Sequence, residues 1–107
     1  MTTFDEREKS YERKFQHDQE LAFKIRARRN KLFGLWAAER LGLADAAAQT
    51  YARDMVAGDF GKAGDAAIIA KVADDLAKRG MTLDAARLHA ELQRCATEAK
   101  RQVASPK

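Results

Sequence analysis

The sequence predicts an all-α protein, a four-helix bundle preceded by a mobile N-terminal helical segment. Helix-forming residues dominate the 107-residue chain, and its one proline lies at position 106. Apolar residues recur at intervals of three and four, whereas the two-residue alternation expected of strands is sustained nowhere. Hydrophobic residues make up 46% of the chain, which is enough for one core at the usual size of a single domain.

Residues 1–17 form the first predicted unit, the N-terminal arm, a charged helix with little material for a core. Phe4, Tyr11 and Phe15 follow one another at spacings of seven and four. On a helix they fall within a stripe about 40° wide, here called the aromatic seam. Two interpretations stay open: the seam packs on the chain's own domain, or it anchors the arm in a groove of a partner. In the second case we expect the arm to fold on binding, because isolated helices of this length are marginal in water.

Residues 18–107 form the second predicted unit, the bundle. Its first helix covers about 18–41, with no helix breaker between it and the arm, so that the two can join into one rod on binding. Gly34, inside this helix, predicts the close approach of a neighbouring helix, and Gly42 ends it as a left-handed cap. The predicted apolar face consists of Leu21, Ile25, Leu32, Leu35 and Trp36.

Three further helices are predicted, over about 45–57, 65–79 and 83–104. Their predicted N-caps are Asp45, Asp65 and Thr82, because short polar side chains can accept the free backbone N–H groups of a helix start. Amphipathic helices joined by short turns are typical of a bundle. The predicted inward residues are Ala48, Tyr51, Ala52, Met55, Val56, Ile68, Ile69, Val72, Leu76, Ala85, Leu88, Leu92, Cys95, Ala99 and Val103.

The net charge of +4 is modest and unevenly distributed. The basic run, residues 24–31 (KIRARRNK), holds five bases and no acid, whereas residues 1–20 hold six acids and four bases. Without a helix-turn-helix pattern or an array of stacking aromatic residues, we do not expect nucleic-acid binding. The basic run is either a solvated face or a polar contact surface.

Neither a signal peptide nor a membrane span is recognisable in the sequence, so we expect a soluble, cytoplasmic protein. Cys95 is the one cysteine, which rules out an intramolecular disulfide, and its place on an apolar stripe predicts a core residue. His17 and His89 lie far apart and in no metal-ligand spacing. No phosphate-binding loop of the Walker type occurs. We therefore predict no catalytic residues, no metal and no cofactor.

A second class of function stays open, a regulatory bundle that binds an adenine nucleotide, ADP or ATP. Arg28 and Arg29 could neutralise the phosphates, and Trp36, one or two turns away, could stack on the base.

Three stretches, MTTFDEREKSYERKF, ARRNKLFGLWAAERLGL and DFGKAGD, resemble the zeta-subunit family, small inhibitors of the rotary ATP synthase in alphaproteobacteria. The resemblance covers essentially the whole chain and is strongest over residues 1–43. Relatives usually carry an acidic, proline-containing loop of the type DFEEPGDED. This chain departs from that pattern within and just after Asp59–Asp65, at Gly61, Lys62, Ala63, Ala66 and Ala67.

The resemblance implies a four-helix bundle whose mobile N-terminal segment is the inhibitory part. In this family the segment is expected to insert between the catalytic alpha and beta subunits, reach the gamma shaft, and block ATP hydrolysis while leaving synthesis comparatively free. The basic run would face the outside of the catalytic head. Tyr11 falls where relatives tend to have another aromatic or apolar residue. The other positions that the resemblance assigns to partner binding are Thr2, Thr3, Phe4, Asp5, Arg7, Glu8 and Phe15.

Overall fold

The structure of the chain is a computed structural model that describes the backbone of residues 3–58 and 64–104 and the side chains of residues 17–58 and 64–104. Over these ranges the backbone forms four helices and no strand, which confirms the predicted all-α class. The helices are α1 (Thr3–Arg40), α2 (Asp45–Ala57), α3 (Asp65–Lys78) and α4 (Ala85–Ala104).

Helix α1 is the longest element and runs without a break across residues 17 and 18, where the sequence predicts the boundary between arm and bundle. The sequence contains no glycine or proline before Gly34, so nothing in it interrupts the helix. Its 38 residues span about 57 Å at 1.5 Å per residue. The molecule is therefore elongated, with principal extents of 66, 29 and 20 Å.

The core draws side chains from all four helices and lies around the C-terminal half of α1, which packs mainly against α2 and α4. The four inward residues predicted for α3 are all buried, as are four of the six predicted for α4. On α2 the prediction is partly wrong, because Val56 is exposed. The largest fully buried side chains are Phe33, Met55, Ile68, Leu76, Leu88, Leu92, Val72 and Cys95.

The predicted apolar face of α1 is displaced from the true one. Leu21 is exposed, and the other four predicted residues are only partly buried. Because α1 is contacted by α2 and α4 together, its innermost stripe is made largely of small residues that let the neighbouring backbones come close. The larger predicted residues flank that stripe. The buried positions of α1 are Asn30, Phe33, Gly34, Ala37 and Ala38, and Leu41, directly after the helix, is buried as well.

Two helices end in left-handed glycine caps, and the one at Gly42 is the cap that the sequence analysis predicts. Gly42 and Gly80 have φ of 78° and 77°. After α1, the N–H groups of Gly42 and Leu43 donate to the carbonyls of Glu39 and Ala38, the pair of hydrogen bonds that defines a Schellman motif. Such a cap makes a sharp stop, which turns the chain directly into α2.

The predicted N-caps are wrong at all three sites. Helix α4 is capped by Asp84 instead of Thr82, since the backbone N–H of Arg87 donates to Asp84 Oδ1 at 2.7 Å. Helices α2 and α3 have no side-chain cap, because Asp45 and Asp65 already lie in their first turns. A carboxylate in the first turn still interacts favourably with the positive end of the helix dipole.

Candidate partner-binding site on helix α1

The N-terminal half of α1 carries the positions predicted to bind a partner. Residues 17–24 are all exposed, and the first buried side chain along the described part of the helix is Asn30. Two large apolar side chains stand in this exposed stretch, Leu21 with 36% and Phe23 with 69% of its surface accessible. Apolar residues on a helix that leaves its own bundle are typical of a binding surface.

The backbone of α1 contains seven of the eight predicted partner-binding residues. The eighth, Thr2, lies outside the described residues. The side chains of residues 1–16 also lie outside the described part, so their predicted contacts stay predictions. Helical geometry alone sets their angular positions: 4, 11 and 15 share one stripe.

An ion pair joins the C-terminal half of α1 to the first residue of α3. Arg29 Nη1 lies 3.0 Å from Asp65 Oδ1, and Arg29 Nε donates to Asn30 Oδ1 at 3.1 Å. The side chain of Arg29 is only 16% exposed, so the pair is partly shielded from water. Arg29, one of the five bases of the basic run, therefore forms an ion pair inside the chain's own fold.

The structure does not bring Arg28, Arg29 and Trp36 into one pocket. Arg28 donates to Gln102 on α4 at 3.2 Å, whereas Arg29 points to α3. Trp36 lies parallel to Phe33, with ring centroids 5.8 Å apart, and the guanidinium of Arg40 sits 4.8 Å from its ring centre. An adenine base would have to compete with these neighbours for the indole.

A groove between α1 and α4 forms a cavity of about 230 Å³ beside Trp36. Two carboxylates, Glu39 and Glu98, line it, and the one cation on its wall, Arg94, is bound to Glu91. Hydrogen bonds from Arg101 hold the pKa of Glu98 at about 2, so this carboxylate is charged at neutral pH. Because phosphate groups are repelled by carboxylates, the groove is poorly suited to a nucleotide. The lining residues are Leu32, Leu35, Trp36, Glu39, Arg94, Cys95 and Glu98.

Cys95, at the floor of this groove, is a core residue as the sequence predicts. It is 1% exposed. Burial and the neighbouring Glu91 raise the pKa of its thiol to about 11. A thiol that stays protonated at neutral pH is a poor nucleophile and a poor metal ligand.

A second polar cluster joins α2 to α3, and the sequence analysis did not identify it. Tyr51 Oη donates to Asp75 Oδ2 at 2.7 Å, and Lys71 Nζ lies 3.2 Å from the same oxygen. Burial and Asp75 together raise the pKa of Tyr51. Burial on its own would raise the pKa of Asp75, but the hydrogen bonds from Tyr51 and Lys71 outweigh it and lower that pKa. The cluster stabilises the bundle.

No group of three His, Cys, Asp or Glu side chains in the described part of the chain could hold a metal ion. His17 and His89 are both exposed. Within residues 3–58 and 64–104, no helix combines the length and the apolar character that crossing a membrane requires.

A family model, ATPase inhibitor subunit zeta, matches residues 1–102. The chain belongs to the zeta-subunit family. The match covers arm and bundle together, as the resemblance of the sequence predicts. No curated protein and no solved structure matched the chain. As a zeta-family member, the chain is assigned to the inhibitor subunits of an ATPase.

Proposed function

We propose that this zeta-family chain inhibits ATP hydrolysis by the rotary ATP synthase through insertion of its N-terminal helix at the interface of the catalytic alpha and beta subunits with the gamma shaft. The observation that supports insertion is the course of α1, which extends from the bundle as a helix whose residues 17–24 are all exposed. A protruding helix of this kind has the form that a cleft can receive.

The exposure of residues 17–24 favours the partner interpretation of the aromatic seam over packing on the chain's own domain. A helix that packed back on the bundle would bury one face at the point where it meets the bundle, and this stretch buries none. The four turns before it contain Phe4, Tyr11 and Phe15 as their large apolar residues. These three are therefore the proposed anchors, because binding energy concentrates in a few desolvated aromatic side chains.

The polar residues of the arm have a second role in this mechanism. Thr3, Asp5, Arg7 and Glu8 lie within the first two turns of α1, and Thr2 precedes them in the sequence. In the proposed mode these residues set the register of the bound helix through hydrogen bonds and charge complementarity. The bound arm would obstruct rotation in the hydrolytic direction. The chain supplies no catalytic group and acts in the cytoplasm, where the catalytic head of the enzyme lies.

Deleting residues 1–17 tests this proposal, because residues 18–24 are exposed and the first buried side chain among the described residues of α1 is Asn30. We expect the shortened chain to keep the thermal unfolding transition of the bundle by far-UV circular dichroism and to lose inhibition of ATP hydrolysis. A matched full-length variant replaces Phe4, Tyr11 and Phe15 by Ala, which removes the aromatic seam without shortening the chain. Equal inhibition by the deleted and the intact chain would refute insertion of the arm.

A further inference from the structure

Six positions of α1 lie on one line along the helix, at successive spacings of four, three, four, three and four residues; all are exposed except Leu35, which is partly buried. At about 100° per residue this spacing keeps all six positions within about 40° of one line, so they share one side of α1. The line covers 18 residue steps, or about 27 Å. Its members are His17, Leu21, Lys24, Arg28, Lys31 and Leu35.

The three bases in the middle of this line, Lys24, Arg28 and Lys31, are here called the basic stripe. All three are exposed. None of them takes part in the five ion pairs found among the described residues, and Arg28 donates a hydrogen bond to the neutral side chain of Gln102 on α4. Three cations within two helical turns repel one another, and the one acid three or four residues from any of them is Glu20, four residues before Lys24.

The rest of the basic run does not share this surface. Arg29 is bound to Asp65 on α3, and Arg26 lies about 170° around the helix from the centre of the stripe. The fold therefore sorts five neighbouring bases into one structural ion pair, one isolated base and one aligned set of three. Apolar positions flank the set, with Leu21 36% exposed at one end and Leu35 at the other.

We propose that the basic stripe docks on an acidic helical surface of the ATPase, at the outer edge of the cleft that receives the arm. The proposal depends on the proposed insertion of the arm, because the two sites are consecutive parts of one helix. An enzyme that holds residues 1–17 must come close to residues 17–31. At that position, carboxylates in helical array pair with Lys24, Arg28 and Lys31, while Leu21 and Leu35 pack at the two ends. The stripe steers association and fixes the side of α1 that faces the enzyme.

The test compares two full-length triple variants that remove the same charge. Variant one carries Lys24→Gln, Arg28→Gln and Lys31→Gln. The matched control carries Arg53→Gln, Arg79→Gln and Arg87→Gln, which are exposed bases outside the ion pairs of the described residues. Association with the purified ATPase is measured between about 0.01 M and 0.1 M salt, over which the Debye length falls from about 30 to about 10 Å.

We expect the stripe variant to lose about tenfold in the association rate constant at low salt and most of its salt dependence, and the control variant to change less than about twofold. A third variant, Lys24→Arg, Arg28→Lys and Lys31→Arg, keeps the charge and should associate like the unmodified chain. Thermal unfolding of all variants checks that the bundle is intact. Equal losses in the stripe and control variants would overturn the proposal.

Two further outcomes separate this proposal from the one on which it rests. If replacing the aromatic seam by Ala abolishes inhibition while the stripe variant associates normally, the stripe proposal is wrong and insertion stands. If replacing the seam leaves inhibition unchanged, insertion itself is wrong. Binding of the unmodified chain to vesicles of anionic phospholipid or to duplex DNA, lost in the stripe variant while association with the ATPase is unchanged, would overturn the assignment of an acidic protein surface.

Discussion

Gly34 of α1 lies directly against the backbone of Ala52 in α2. A Cβ added at position 34 would come within 2.8 Å of Ala52 Cα and 3.0 Å of the Met55 side chain. Both neighbours are fully buried, and the backbone of α2 cannot give way as a flexible side chain would. The glycine is therefore what lets the two helices cross so closely.

We expect Gly34→Ala to lower the free energy of unfolding by about 1 kcal/mol. Overpacking at a helix crossing costs about 1–3 kcal/mol, and the higher helix propensity of alanine returns about 1 kcal/mol at most. Urea unfolding measures the change. The reference variant is Ala47→Gly, at an exposed site of α2, which reports the propensity effect alone. A Gly34→Ala protein as stable as the parent would show that the crossing is looser than described.

The ion pair between Arg29 and Asp65 is expected to couple α1 to α3 by about 1 kcal/mol in a double-mutant cycle with Arg29→Gln and Asp65→Asn. The partial burial of Arg29 limits solvent screening of this pair. The comparison is the exposed pair of Lys78 with Asp74, 3.3 Å apart, for which we expect about 0.3 kcal/mol. If the two couplings are equal, burial of Arg29 contributes nothing to the pair.

The hydrogen bond from Tyr51 to Asp75 predicts a stability that falls at both ends of the pH scale. The pKa of Asp75 is lowered in the folded chain from its ordinary 3.8, so its contribution is present above that pH and is lost as the pH falls through the folded value. The pKa of Tyr51 is raised from its ordinary 10.0, so its contribution is complete below pH 10.0 and declines at higher pH.

Removing that hydroxyl with Tyr51→Phe should therefore cost about 1 kcal/mol near neutral pH and less at about pH 3 and about pH 10.5. Urea unfolding at these three pH values gives the comparison, with Tyr11→Phe, at the other tyrosine of the chain, as the control for loss of a hydroxyl. A cost that stays constant across the three values would show that the hydrogen bond does not control the titration of either group.

Phe4→Ala should weaken inhibition of ATP hydrolysis far more than Lys9→Ala, by about 2 kcal/mol or about thirtyfold in the inhibition constant. A buried aromatic anchor supplies most of the binding energy in the proposed mode, whereas a charged lysine contributes mainly to the rate of association. Inhibition is measured by titrating each variant against the purified ATPase. Similar losses in the two variants would contradict aromatic anchoring.

Much of the fold could be predicted from the sequence because its signals are local. The caps at Gly42 and Gly80 need only a glycine after an amphipathic stretch, and the periodicity of α3 identifies its buried face without reference to the other helices. The N-cap of α4 was misassigned for a simple reason, since Thr82 and Asp84 are both competent caps and the choice depends on where Leu83 packs.

The buried face of α1 could not be read from its hydrophobic periodicity alone. Small residues such as Ala37 and Ala38 carry little hydrophobic signal, yet they occupy the interior because two other helices close over them. The same tertiary choice divides the basic run, since nothing in KIRARRNK marks Arg29 as the base that Asp65 takes. The sequence analysis also missed the exposure of Phe23. The signal that could have identified it is its position, because it is an aromatic residue outside the predicted apolar face of α1.

Because α1 is one uninterrupted helix, the rotation of its N-terminal end about the helix axis is fixed relative to the bundle. Each residue of α1 advances the helix by about 100°, so the packing of the C-terminal half in the bundle determines which way each side chain of the N-terminal end points. One alanine inserted after Glu20 would swing the tip by about 100° relative to the bundle, whereas seven would return it to within about 20°. The bundle at the C-terminal end of α1 thus sets the side that the N-terminal end of the helix presents to a partner.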